Sequence, residues 1–248
     1  MLKTERMDRV RAALRAQGLT QMIVCDPKSV WYLTGVAVEP YERLLALYLP
    51  TEGEPVLFLN RLFNVPEPPC RTVWHTDTDK PVAQIAEVVD AGRPLGIDKE
   101  WPAKFLIPLM ETHPGMQVVL SSDCVDDCRA CKDAEEQALM REASRINDAV
   151  NEAAKHYIKA GMTEREVAEF IDAQFRAHGC EGPSFTTIVS FGANAADPHH
   201  EPDDTVLKEG DCVLFDMGCV KSRYCSDMTR TWFYGAPTDE QKRVFDLV

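Results

Sequence analysis

Two aspartates, Asp216 and Asp227, lie in CVLFDMGCVKSRYCSDMTRTW (212–232), where strand-like runs flank a short polar connection at Lys221 and Ser222. With that connection as a hairpin tip, antiparallel pairing sets Val220 opposite Arg223 and Asp216 opposite Asp227. Directly opposed residues share a face, with Cα atoms roughly 4.5–5.5 Å apart. Alternation gathers Leu214, Asp216, Gly218, Cys225, Asp227 and Thr229 on one face, and Val213, Phe215, Met217, Met228 and Trp232 on the other. Like charges opposed in an apolar hairpin repel. A proton, a basic side chain between them, or a bridging cation relieves them. Arg230 and Arg223 are near in sequence, but Arg230 falls on the other face by parity; a cation is the most economical reading. Solvated carboxylates on a sheet rim are the plain alternative.

The second chemical element is FGANAADPHHEPDD (191–204), a loop by composition, with two prolines and acidic residues around a histidine pair. A histidine there is either a surface residue or a catalytic one. His75, His113 and His156 have no supporting neighbours and read as surface or structural. His178 closes a helical pattern, where a histidine complements the helix dipole. Cys124, Cys128 and Cys131 lack the second pair or the histidines that a zinc site needs, and read as ordinary thiols.

Elements that would position these residues follow from periodicity. Residues 7–19 repeat at helical spacing, MIVCD reads as a buried strand, and LLALYLP and PVLFLN are apolar runs split by the turn TEGE. VAQIAEVVDA and WPAKFLIPLMETH read as helices, with PLGI and MQVVLSS as strands. Strands alternating with helices predict an α/β domain with a mixed or parallel sheet over residues 1–130. From Asp133 to Lys159 the chain reads as one helix, with Leu139, Ala143, Ile146, Val150, Ala153 and Tyr157 as its apolar stripe. Thr163 and Glu166 form a capping box for a second helix, and strands follow from Thr186. PTDEQKRVFDLV opens as another helix.

Composition narrows the partners. Net charge is −13, with 14 basic against 18 acidic residues up to Cys131 and 13 against 22 after it. Neither part is suited to a polyanion, which disfavours nucleic acid. The N-terminus MLKTERMDRV has no signal-peptide core, no apolar run reaches a membrane span, and nine cysteines without an export signal imply reduced thiols in a cytoplasm.

The stretch from FGANAADPHHEPDD through EGDCVLFDMG to CSDMTRTW resembles peptidase family M24, close to Xaa-Pro aminopeptidases and dipeptidases. SVWYLTG and CRACKDAEEQALMREASRINDAV extend the resemblance over nearly the whole chain. It implies a creatinase-type α/β N-terminal domain over 1–130, then the first half of an α+β pita-bread domain over 131–248. It also implies that Asp216 and Asp227 are metal ligands, with Asp227 bridging two divalent cations. His199, after Pro198, would be the active-site histidine that hydrogen-bonds substrate or tetrahedral intermediate. Two cations would activate a bridging water, giving a hydroxide for attack on the N-terminal peptide bond of an Xaa-Pro peptide. Carboxylate-rich ligation suits Mn²⁺, with Co²⁺ or Zn²⁺ as alternatives.

A His and two Glu complete the ligand set in this family, and no match to them precedes Val248. The expectation is therefore an inactive piece of an enzyme of roughly 350 residues. Dimers are common in the family, so a homodimer is expected. A non-catalytic peptide-binding module on the same scaffold is the rival; the metal-free amidinohydrolases related to creatinase are a second, and they typically lack the aspartate pair.

Overall fold

The computed structural model describes residues 2–248 and divides into two compact units, the first ending at Cys131 and the second running from Lys132 to Val248. Among the described residues no helix is long and apolar enough to cross a membrane.

The first unit contains α1 (Thr4–Ala16), β1 (Gln21–Val24), α2 (Pro27–Thr34), β2 (Ala46–Pro50), β3 (Val56–Asn60) and β4 (Arg71–His75). It continues with α3 (Pro81–Ala86), β5 (Leu95–Ile97), α4 (Ala103–Thr112), β6 (Val118–Leu120) and α5 (Asp123–Ala130). The strands form one mixed sheet in the order β4-β3-β2-β1-β5-β6. Its central strands are apolar at successive positions because both faces are covered. Ile23, Ala46 and Phe58 pack with Ile85 and Leu109 on one side. Val24, Leu47 and Leu57 pack with Leu14, Leu33 and Val125 on the other.

One local expectation fails here, and one strand is new. The helix read over VAQIAEVVDA stops at Ala86, because Asp90 is drawn out of helical geometry: Gln21 Oε1 accepts its N–H at 2.9 Å and Gln21 Nε2 donates to its carbonyl at 2.7 Å. The strand RTVWH was not foreseen, since it is a short edge with a weak pattern that exists by parallel pairing to β3.

The second unit contains α6 (Ala134–Tyr157), α7 (Glu164–Ala177), β7 (Gly182–Pro183), β8 (Ile188–Phe191), a 3₁₀ turn (Gly192–Ala196) and β9 (Cys212–Met217). β10 (Cys219–Lys221), β11 (Tyr224–Cys225), β12 (Met228–Phe233) and α8 (Asp239–Phe245) complete it. Capping boxes start α6 (Asp133 with Glu136), α7 (Thr163 with Glu166) and α8 (Thr238 with Gln241). The buried stripe of α6 differs from the one read by apolar spacing. Ala143 and Val150 belong to it, but Tyr157 is exposed while Asn147, Asn151 and Ala154 are buried. Asn147 is inside because Met217 O on the sheet needs a donor, which Asn147 Nδ2 supplies at 2.9 Å.

Candidate functional site

β9 is the middle strand of β12-β9-β8. Val213, Phe215 and Met217 are fully buried with side chains of α6 and α7, and Phe215 meets Trp232 edge-on at 4.6 Å. Cys212, Leu214 and Asp216 turn to the opposite, half-buried face. Asp216 is flanked by Ile188 of β8 and Thr229 of β12. Arg230 pairs with Phe215, on the other face from Asp216.

Direct opposition of the two aspartates does not occur. The tip is Ser222–Arg223, both with positive φ (50° and 68°), as a two-residue type I′ connection requires. Lys221 pairs with Tyr224 and Val220 with Cys225. Moving the tip by one residue moves each partner by two, so the sharing of a face survives while the pairing changes. Asp216 faces Thr229, and Asp227 falls opposite Gly218, between the Met217–Met228 pair and the Ser226 N to Cys219 O bond. The two carboxylates are diagonal neighbours, a relation that sets residues roughly 7–8 Å apart. No glycine or asparagine marks the tip, so the sequence left its position to tertiary contacts such as Arg223 N to Glu181 Oε1 (3.0 Å).

Backbone on both sides of the pair is tightly held. A Cβ on Gly218 would lie 1.9 Å from Ser226 O and 2.3 Å from Ser184 Oγ, so no larger residue fits. Ser226 Oγ accepts Cys219 N at 3.0 Å. Against this order, Asp216 Oδ1 is buried without a hydrogen-bond partner, as is Ser190 Oγ, whose residue pairs with Leu214 on the same face. An unsatisfied buried oxygen costs about 1–3 kcal/mol, more when charged. A divalent cation at Asp216, shared with exposed Asp227, would remove that cost, and an all-oxygen donor pair suits such an ion.

His199 is exposed on the loop after β8, its N–H bonded to Asp197 Oδ1 at 3.0 Å. Among the described residues no hydrogen bond or ion pair joins His199, Asp216 and Asp227 to one another. Sequence reading missed the residues around His200, whose Nε2 lies 2.6 Å from Glu164 Oε2. Glu164, His200 and Asp203 offer donor atoms within 4.8 Å of one another, a grouping suited to a cation. Both Glu164 oxygens are already hydrogen-bonded, however, so the group is satisfied without one. The doubled histidine was the one signal for it.

The other histidines are structural or exposed. His75 is buried between Asn60 Nδ2 (3.3 Å) and Leu44 O (3.1 Å), His113 bonds Ala86 O, and His178 bonds Gln174 O at the end of α7. Burial pushes the Cys124 thiol up to about 11.

Comparison with known proteins gives two family matches: Creatinase/Prolidase N-terminal domain over residues 6–131 and Metallopeptidase family M24 over residues 138–248. An uncharacterized peptidase of Staphylococcus epidermidis is 30% identical over 243 residues, covering 96% of this chain and 69% of that protein. The solved prolidase from Thermococcus sibiricus superposes with a TM-score of 0.91 at 30% identity, covering 100% of this chain and 70% of that one. The dipeptidase PepE from Mycobacterium ulcerans gives 0.89 at 29% identity, with 98% and 67% covered.

Proposed function

Since this chain belongs to the M24 metallopeptidases and carries their creatinase/prolidase N-terminal domain, we propose that it serves an Xaa-Pro peptidase, cleaving the N-terminal peptide bond of Xaa-Pro substrates. One observation carries the assignment of the site: the buried, unpartnered Oδ1 of Asp216 on the face that Asp227 shares. The chain spans 69% of the length of its Staphylococcus epidermidis relative, and the activity is assigned to an enzyme of the relatives' full length.

Asp216 and Asp227 would hold divalent cations, with Mn²⁺ the ion an oxygen donor set favours. Such ions supply Lewis acidity and an acidified water near neutral pH. Asp216 is presented by a strand whose other face is locked into the core, so its carboxylate is pre-oriented. Gly218 and Ser226 brace the turn of chain that delivers Asp227. His199, exposed on its loop, donates a hydrogen bond to the oxygen that gains charge as the substrate carbonyl is attacked. Peptides are the partners this arrangement serves.

Titration calorimetry with Mn²⁺ tests the ligand pair, and hydrolysis of an Xaa-Pro dipeptide by the full-length enzyme tests the activity. Asp216→Asn and Asp227→Asn are expected to lose cation binding and turnover together. Unchanged Mn²⁺ affinity in both variants would remove the ligand assignment. Cation binding and peptide binding without turnover would favour a non-catalytic binding module.

A further inference from the structure

The loop that carries His199 is exposed at Ala193 and at residues 196–199, so burial of its own side chains does not fix its course. A buried carboxylate holds both sides of it. Glu164, the first residue of α7, has no exposed surface, and its oxygens accept four hydrogen bonds, all from residues 191–203. Phe191 N (2.6 Å) and Asn194 Nδ2 (3.0 Å) donate to Oε1; His200 Nε2 (2.6 Å) and Asp203 N (3.2 Å) donate to Oε2. These contacts bracket His199 on both sides. Glu164 N donates in turn to Thr205 O at 3.1 Å, which closes the far end of the loop onto the helix start.

His200 Nε2 also lies 3.2 Å from Asn194 Nδ2, but two donors cannot bond each other. Both Asn194 amide hydrogens have acceptors, Glu164 Oε1 and Thr205 Oγ1 (3.1 Å). With Glu164 as the acceptor, His200 Nε2–H donates a hydrogen bond to its Oε2. With His200 held inward and His199 N tied to Asp197, the His199 side chain is left facing solvent. A buried carboxylate is costly unless fully bonded. Here all four bonds go to one loop, which marks that loop's position as what the carboxylate secures.

We propose that Glu164 is a positioning residue for the reaction: by holding Asn194, His200 and Asp203 it sets the place from which His199 reaches the substrate. This rests on the role of His199 given above. It also reads the Glu164–His200–Asp203 group as an anchor rather than a second cation site.

The test is a double-mutant cycle in the full-length enzyme with an Xaa-Pro dipeptide. Glu164→Gln keeps the shape but turns one acceptor into a donor. It is expected to lower kcat by roughly ten- to a hundred-fold, since small misplacements of a catalytic group cost that much. KM and Mn²⁺ affinity should stay nearly constant. In a His199→Ala background the same change should cost little further, because the group it positions is gone. Asn194→Ala, which removes one bond to Oε1, serves as the milder variant should Glu164→Gln fold poorly. The inference is overturned if His199→Ala is impaired while Glu164→Gln is not, or if the two losses multiply in full. Lost Mn²⁺ affinity in Glu164→Gln overturns it in favour of a cation site. If His199→Ala keeps full kcat, the role of His199 itself fails and takes the proposal with it. Amide exchange over 192–203, faster in Glu164→Gln, reports the anchor independently of His199.

Discussion

The two units build their central sheets from the same alternation of side chains and put it to opposite uses. In the first, β1, β2 and β3 are buried on both faces, and successive residues such as Leu57 and Phe58 enter different apolar clusters. In the second, β9 buries only Val213, Phe215 and Met217 and turns Asp216 to the other face. A sheet covered on both sides has no surface left for chemistry. The half-covered sheet keeps one face for polar groups, and there the buried, unpartnered oxygens of Asp216 and Ser190 occur.

The largest effects should come from the apolar sides. Phe58→Ala and Phe215→Ala are each expected to destabilise their own unit by about 3–5 kcal/mol in denaturant unfolding. Asp216→Asn, one residue from Phe215 on the opposite face, should leave metal-free stability nearly unchanged, because Oδ1 has no hydrogen bond to lose. A loss comparable to that of Phe215→Ala would break the contrast between the two faces.

Next in size is Gly218→Ala. The added Cβ meets Ser226 O and Ser184 Oγ, so a loss of about 1–3 kcal/mol is expected in thermal melts. Mn²⁺ binding should weaken as well, since Asp227 depends on that backbone. A smaller gain is expected from Ser222→Asn combined with Arg223→Gly. Both positions are left-handed, and relieving them should add roughly 1 kcal/mol while sharpening the register.

The smallest effect lies in the first unit. The Arg43 guanidinium beside Asp77 holds its carboxyl below the ordinary value of 3.8. A lowered folded-state pKa stabilises above 3.8 and loses that contribution as pH falls through the folded value. Asp77→Asn should therefore slightly lower stability at neutral pH and leave it unchanged in strong acid. An equal loss at both extremes would assign the effect to packing instead.

Much of this was legible in the residues. Apolar runs announced β2 and β3, and the capping residues Thr163 and Glu166 announced α7. The hairpin register was not, because Lys-Ser-Arg-Tyr contains no residue that favours left-handed backbone over its neighbours. Nor was the inward turn of Asn147, since a buried amide looks polar by composition and becomes a core residue only when Met217 O needs a donor. In the same way His199 and His200 are the same residue type side by side, and no periodicity separates them.

The sequence by itself determined the family, most of the helices and strands, and the parity that relates Asp216 to Asp227. These follow from properties carried by each residue and its near neighbours: hydrophobic period, cap chemistry, charge. Tertiary structure alone decided that Asp227 is the diagonal neighbour of Asp216, that Asp216 Oδ1 is buried without a donor, and that Glu164 holds the loop of His199 through His200. Those outcomes depend on which distant groups the packed chain brings within reach of each buried polar atom, and which atoms it leaves without one.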